Sequence, residues 1–273
     1  MRLLGDWLAA YPDAPVLASG MVGSRHGWRE TPYVPCPAEL AVLVGKLAAV
    51  EAEGRRVWLA PGLSCEDETG QPDVMRGEEV EILGMAEVGA RLVVLPGSHS
   101  KWAAMGEGCV LRFRTLVTGE LFAALRDHKL AGTVRAPGEA GANRRSLRAR
   151  RHGRGRAVRG DKEGGLLGAL FGARSLPLMG KLPDEDASDY LSGLLIGAEI
   201  EEARRLFLNA EPYVAGAETL VGRYLAAFAA LGLQAPRRAA EGRRPRPFRI
   251  GARRRIGDGL KPKMRPSAGQ MWY

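Results

Sequence analysis

Leu95-Pro96-Gly97-Ser98-His99-Ser100-Lys101-Trp102 is the stretch on which the fold turns. Ahead of it, Arg91-Leu92-Val93-Val94-Leu95 is a short apolar run of the kind that forms a buried strand. Pro96 cannot donate to a ladder, and Gly97-Ser98 is turn chemistry. Residues 101–105 then suit a second strand, Gly106-Glu107-Gly108 a second turn, and residues 109–116 alternate as a third strand. Strand, turn, strand, turn, strand predicts an antiparallel meander.

Upstream the pattern differs. Pro15-Val16-Leu17-Ala18 and Val57-Trp58-Leu59-Ala60 read as strands. Between them, Pro37 can open a helix whose apolar stripe is Leu40, Leu43, Val44, Leu47 and Val50, closed by Gly54. A further helix is expected from about Glu78 to Val88. The alternation predicts an α/β chain with parallel strands and crossover helices. Downstream, Thr118 can cap a helix carrying Leu121, Phe122 and Leu125. Helical periods return at residues 164–171, 190–207 and 220–231.

The 273 residues, 45% hydrophobic and 26% charged, exclude a wholly disordered chain, a collagen-like repeat and a disulfide miniprotein. The net charge of +9 raises the question of nucleic acid, and its distribution answers it. Residues 143–160 hold eight Arg and no acid, and residues 236–265 hold twelve basic and two acidic residues, which leaves the rest of the chain at −9. Both basic segments lack interleaved aromatics, Phe248 being the one exception between 236 and 265, so specific nucleic-acid binding is not expected. Neither segment is expected to fold. Cys36, Cys65 and Cys109 form no CxxC or Cys/His spacing, so neither a zinc or other metal site nor a disulfide framework is expected. No signal peptide precedes Asp6, and no apolar run approaches the roughly 20 residues of a membrane helix, so a cytoplasmic protein with no membrane partner is expected.

Three windows carry candidate chemistry. In Gly97–Lys101, successive N–H groups with the Ser98 and Ser100 hydroxyls could cradle a phosphate and Lys101 could neutralise it, or the stretch is an ordinary hairpin turn; His99 is the one histidine inside a candidate site. In Asp73-Val74-Met75-Arg76-Gly77-Glu78-Glu79, Asp73 is expected near a helix N-terminus, as a base for a sugar hydroxyl or as a cap. Glu78 and Glu79 there could simply compensate the helix dipole. In Ser19-Gly20-Met21-Val22-Gly23-Ser24-Arg25-His26-Gly27-Trp28, at the end of a strand, Arg25 offers a fork for the carboxylate of a sugar acid, or the stretch is a surface loop anchored by a buried Trp28.

Together these windows resemble the 2-dehydro-3-deoxygalactonokinase family, sugar-acid kinases of the actin-like, ribonuclease H-like ATPase superfamily. The resemblance rests on residues 17–25, 32–37, 73–78, 95–102, 118–122 and 190–197, in the family's order, within segments 3–138 and 164–235. It implies a two-domain α/β kinase that phosphorylates 2-dehydro-3-deoxy-galactonate with ATP and Mg²⁺ in galactonate catabolism. It implies substrate contacts from Ser19, Gly20, Met21, Arg25, Arg76 and Glu78. Nucleotide contacts follow for Gly97, Ser98, His99, Ser100, Lys101, Gly119, Gly193, Gly197 and Gly216. Asp73 becomes the catalytic base by analogy with related carbohydrate kinases, where such an Asp precedes the phosphate loop by some two dozen residues.

The domains expected are 1–90 on the sugar-acid side and 91–235 on the nucleotide side, with a basic insert at about 139–163 and a basic tail at 236–273. The sequence departs from the family in two respects. It has no Asp-x-Gly-Thr first phosphate loop, which predicts a fold incomplete at the N-terminus, and the two Arg-rich segments have the composition of a disrupted reading frame. The second replaces the last strand and helix of the nucleotide side, so the fold is expected to be incomplete at the C-terminus as well. A silent sugar-acid-binding remnant and an Arg-rich polyanion binder therefore stand as alternatives to the kinase.

Overall fold

The computed structural model describes residues 5–127, 161–208, 210–234 and 236–238. The first third contains α1 (Gly5–Ala10), β1 (Val16–Ala18), β2 (Tyr33–Pro35), β3 (Ala38–Glu39), α2 (Leu40–Gly45), β4 (Ala48–Ala52) and β5 (Arg55–Leu59). It continues through β6 (Gly62–Glu66), β7 (Pro72–Met75) and α3 (Glu78–Gly84), which ends in a 3₁₀ turn at Met85–Val88. The meander follows as β8 (Leu92–Leu95), β9 (Ser100–Met105) and β10 (Cys109–Leu116), and leads into α4 (Thr118–Asp127). The remaining elements are α5 (Asp161–Leu170), α6 (Gly172–Leu178), α7 (Ala187–Leu206), β11 (Pro212–Val214), α8 (Glu218–Ala230) and β12 (Arg237–Arg238).

The centre is a six-stranded mixed sheet in the order β12-β11-β8-β9-β10-β3. The β8–β9–β10 meander is antiparallel, as its turns predict, and β11 lies parallel to β8. All four residues of β8 are buried, so the strand reads as a continuous apolar run instead of an alternating one. The pleat sends Leu92, Val94 and Trp102 to one face, where Ile196, Ile200, Val221, Tyr224 and Phe228 of α7 and α8 cover them. Val93, Leu95, Ala103 and Met105 point to the other face, where Val34, Leu63, Met75, Ile82 and Leu83 from the first third close the core. The proposed boundary at residue 90 thus falls between segments that share this second core. A third cluster, Leu170, Ala173, Leu191, Leu194 and Leu195, joins α5, α6 and α7, with Leu121 and Phe122 of α4 packed on it.

Two small sheets flank the first third, in the orders β1-β5-β4 and β2-β6-β7. Here the structure corrects the sequence reading. The helix expected from Pro37 to Gly54 begins only at Leu40 and ends at Gly45, and Ala48–Ala52 is a strand antiparallel to β5. Glu53 and Gly54 form its two-residue turn, with φ of 50° and 74°, the geometry of a tight hairpin. The expected parallel pairing survives between β1 and β5. The tail is not wholly without structure either, because Arg237 and Arg238 pair parallel with Tyr213 and Val214 at the sheet edge. Helix α5 begins at Asp161, inside the segment expected to be an unfolded insert. Residues 139–160 and 239–273, the bulk of both basic segments, lie outside the described residues. Among the described residues no helix is long and apolar enough to cross a membrane.

Candidate functional site

The chemistry gathers at the end of β9 and divides there. Adjacent residues in a strand face opposite ways, so Ser100 and Lys101, read together as phosphate ligands, part company. Both are buried, at 0% and 4% exposed. Ser100 goes to the helix side, its Oγ 3.0 Å from the Tyr224 hydroxyl. Tyr224 in turn donates to Glu199 Oε2 at 2.7 Å, and Trp102 Nε1 donates to Glu199 Oε1 at 2.7 Å. Burial raises the Glu199 pKa, opposed chiefly by hydrogen bonds from Thr118, Trp102 and Tyr224. Burial and the Glu199 carboxylate push the Tyr224 hydroxyl well above its ordinary value, so it stays protonated and a donor.

Lys101 points to the opposite face, where its Nζ donates to Thr115 Oγ1 at 2.8 Å and to the Val74 carbonyl at 3.3 Å, with Glu78 Oε1 at 3.8 Å. Thr115 clamps Asp73: its N–H donates to Asp73 Oδ2 and its hydroxyl to Asp73 Oδ1, both at 2.6 Å. The expectation that Asp73 stands at a helix start is corrected, since it lies within β7, opposite Cys65, and α3 begins only at Glu78. Its carboxylate is therefore held by Thr115 of β10, a strand of the central sheet, and does not cap a helix. Each oxygen keeps a further lone pair for a substrate hydroxyl.

Beside this group lies a cradle of close backbone. Gly20 and Gly77 both adopt positive φ, 85° and 115°, and a side chain on Gly77 would stand 3.2 Å from the Gly20 Cα. Only glycine fits that approach. The Arg76 guanidinium donates to the Thr31 hydroxyl and, at 2.8 Å, to the Thr31 carbonyl, and lies 4.3 Å from the centre of the Tyr33 ring. Arg76 Nε and Glu79 Oε1 are buried with no hydrogen-bond partner among the described residues. Glu79 is wholly buried, its Oε2 accepting the Gly77 N–H at 2.5 Å, and burial pushes its pKa up to about 7. Sequence reading took Glu79 for a surface residue; its signal was position, three residues before the buried Ile82 on one helix face. Ser19, Met21 and Arg25 are exposed on the neighbouring loop, outside this cluster, and Trp28 is half exposed there instead of anchoring it as a buried residue.

On the helix side a cleft of about 520 Å³ opens between the β8–β9 turn and the helices. Pro96, Gly97, Thr118 and Gly119 form one end, and Phe122, Leu195, Ile196 and Leu220 supply apolar wall. Arg223 also lines it, donating to Ser192 Oγ at 2.7 Å and Asp189 Oδ1 at 3.2 Å. Gly119 must be glycine, since a Cβ there would meet the Gly97 backbone and sit 2.9 Å from the Ser98 Cα. Gly216, at φ 129°, brings the α8 approach alongside Pro96. Ser98 and His99 are exposed at the turn, His99 Nε2 pairing with Glu120 Oε2 at 2.6 Å. Gly193 and Gly197 are buried in α7, where Ser192, Leu195 and Ile196 provide the lining instead. Gly97, Gly119 and Gly216 are thus brought together, whereas Ser100 and Lys101 are turned inward to other partners.

The profile of the 2-keto-3-deoxy-galactonokinase family matches residues 1–244. The chain belongs to this family. The match is wider than segments 3–138 and 164–235 and ends inside the Arg-rich tail. Among curated family members, the 2-dehydro-3-deoxygalactonokinase of Escherichia coli is 37% identical over 221 residues, covering 80% of this chain and 71% of that protein. A relative of the same kinase name, DgoK1 of Rhizobium meliloti, is 36% identical over 194 residues, covering 69% of this chain and 61% of that one. A solved structure of a 2-dehydro-3-deoxygalactonokinase protein from Sinorhizobium meliloti superposes with a TM-score of 0.71 at 34% identity, over 85% of this chain and 76% of its own. The family is one of carbohydrate kinases, and the mixed α/β architecture is shared with that solved structure.

Proposed function

We propose that the protein transfers the γ-phosphoryl group of ATP to the terminal hydroxyl of 2-dehydro-3-deoxy-galactonate, giving the 6-phosphate and ADP in the cytoplasm. The observation that carries this reading is family membership across residues 1–244, and the geometry supports the following division of roles. On this reading the chain has the two-sided organisation of the actin-like ATPases, with residues 1–90 serving the sugar acid and residues 91–235 the nucleotide.

The nucleotide occupies the cleft at Gly97 and Gly119. Its phosphates meet turn backbone and the positive end of α4, while the base lies against the apolar wall. Gly216 keeps the opposite side of the turn close. The sugar acid sits at the first-third face, its carboxylate near the Arg76 guanidinium and the Gly20–Gly77 backbone, and Arg25 and Met21 on the adjoining exposed loop contact it from outside. Asp73, oriented by Thr115, takes the proton of the attacking hydroxyl as the O–P bond forms and the bond to ADP breaks. Such a base need not be strong, because phosphoryl transfer is driven chiefly by positioning and charge stabilisation. Lys101, buried beside Thr115, supplies a fixed positive charge behind Asp73 instead of contacting phosphate.

Among the described residues no group of three or more His, Cys, Asp or Glu could hold a metal ion. An Mg²⁺ carried on the nucleotide's phosphates and water would neutralise developing charge and need at most one or two protein carboxylates. The test is ADP release by the purified protein with ATP, Mg²⁺ and 2-dehydro-3-deoxy-galactonate. Sugar-acid-dependent ADP and a monophosphorylated product by mass spectrometry are expected; ADP no higher than in the sugar-free control overturns the reading.

A further inference from the structure

The chain buries a carboxylate, a phenol, an indole N–H and a serine hydroxyl in one place, although apolar side chains of like volume would fill it at lower desolvation cost. Glu199 is 3% exposed and Tyr224 2%. Both stand on the apolar stripes of their helices, Glu199 between Ile196 and Ala203, and Tyr224 between Val221 and Phe228. What they share is an end point. Ser100 Oγ lies 3.0 Å from the Tyr224 hydroxyl, 3.4 Å from the Gly97 nitrogen and 3.5 Å from the Gly97 carbonyl oxygen. The network runs from the middle of α7, through α8, to the underside of the turn that forms one end of the cleft.

The network also has a direction. Tyr224 has one hydroxyl hydrogen, and Glu199 Oε2 takes it at 2.7 Å. Ser100 must then donate its own hydrogen to the Tyr224 oxygen. Its lone pairs are left facing the Gly97 N–H. The acceptor at Glu199 therefore fixes the orientation of each hydroxyl in turn, and the last of them holds Gly97, against which Gly119 of α4 is packed. Hydrogen bonds in such a chain are worth more together than singly.

We infer that Glu199 and Tyr224 are positioning residues of the nucleotide site, holding the Gly97-Ser98-His99 turn in its phosphate-binding shape through Ser100. The inference rests on the reading of the cleft as the nucleotide site. It assigns a role to two residues, on helices remote in sequence from the turn, that touch no phosphate themselves.

A double-mutant cycle with two single-oxygen deletions, Tyr224→Phe and Ser100→Ala, tests it in the full chain. Each single variant is expected to raise the KM for ATP about tenfold, the scale of one lost buried hydrogen bond, and to leave the sugar-acid KM within about twofold. The double variant is expected to match the worse single variant, because the two oxygens act in one chain. ATP binding by calorimetry, read beside the kinetics, extends the same comparison to any variant with low turnover. Additive effects, an unchanged ATP KM, or an equal rise in both substrates' KM values overturns the inference, as does loss of folding in both single variants. A wild-type protein that neither binds ATP nor consumes it with the sugar acid defeats the reading of the cleft, and the inference with it. Wild-type binding with unaltered variants defeats the inference alone.

Discussion

Glu199 and Glu79 are both buried, on opposite sides of the same sheet, and their surroundings differ. Both oxygens of Glu199 are engaged, one by Trp102 and one by Tyr224. Glu79 receives the Gly77 N–H on one oxygen and leaves the other without a partner, next to Arg76, whose Nε is likewise unpartnered among the described residues. A closed network fixes shape without a ligand. An open one leaves polar atoms whose desolvation is uncompensated until something else supplies a partner. On the proposed reading, the helix side is the finished half of the site and the first-third side is completed by the sugar acid.

The largest effect expected belongs to the open side. Asp73→Asn keeps the shape of the side chain and removes its basicity, and should lower kcat by about 10²- to 10⁴-fold, the usual contribution of a general base. The sugar-acid KM should move little, and steady-state kinetics with both substrates varied would expose the opposite pattern.

Glu79 offers a test in pH. Its pKa in the folded protein, about 7, lies above the ordinary carboxyl value, so folding favours the protonated form. The corresponding stability is complete below about pH 4.5 and is lost as pH rises through 7, by roughly 3 kcal/mol in all. Glu79→Gln, which cannot ionise, should flatten that slope. Urea unfolding at intervals between pH 5 and pH 8 would check it, and parallel curves for the two proteins would mean that Glu79 is not the titrating group.

A smaller effect is expected at the join of α4 and the turn. Gly119→Ala forces a methyl group against the Gly97 and Ser98 backbone, and should cost about 1–3 kcal/mol of stability, the usual toll of overpacking. It should also raise the ATP KM while sparing that of the sugar acid. Equal damage to both substrates would break the division between the two sides. The mildest change is Arg76→Lys, which keeps the charge but loses the fork on Thr31 and the stacking on Tyr33. A rise of about tenfold in the sugar-acid KM is expected, of the order of one charged hydrogen bond, with the ATP KM as the internal control.

The parts of the fold legible in the sequence were those whose local signals agree with their tertiary setting. The meander was readable because Gly97-Ser98 and Gly106–Gly108 bracket three apolar runs. Strand β4 was not, because Leu47 and Val50 continue the spacing of Leu40 and Leu43, and only pairing with β5 makes the chain extended there. The Glu53-Gly54 turn was the competing local signal. At the candidate site, residue type singles out windows 19–28, 72–79 and 95–102, but type does not say which way a strand residue points. That is why Ser100 and Lys101 were grouped together and the Asp73–Thr115 pair was missed. Glu199 left a trace, an acid on an otherwise apolar helix stripe beside Ile196 and Ile200, whose meaning depended on Tyr224, 25 residues away.

The pleat of β9 has a consequence for reach. On the proposed reading, Ser100 supports the turn beneath one substrate and Lys101 stands behind the residues that would face the other, one peptide unit apart in a central strand. Consecutive residues in a strand advance by about 3.4 Å, and a central strand held on both edges cannot slide. On that reading, the spacing between the two substrate sites is then set at this point by strand backbone.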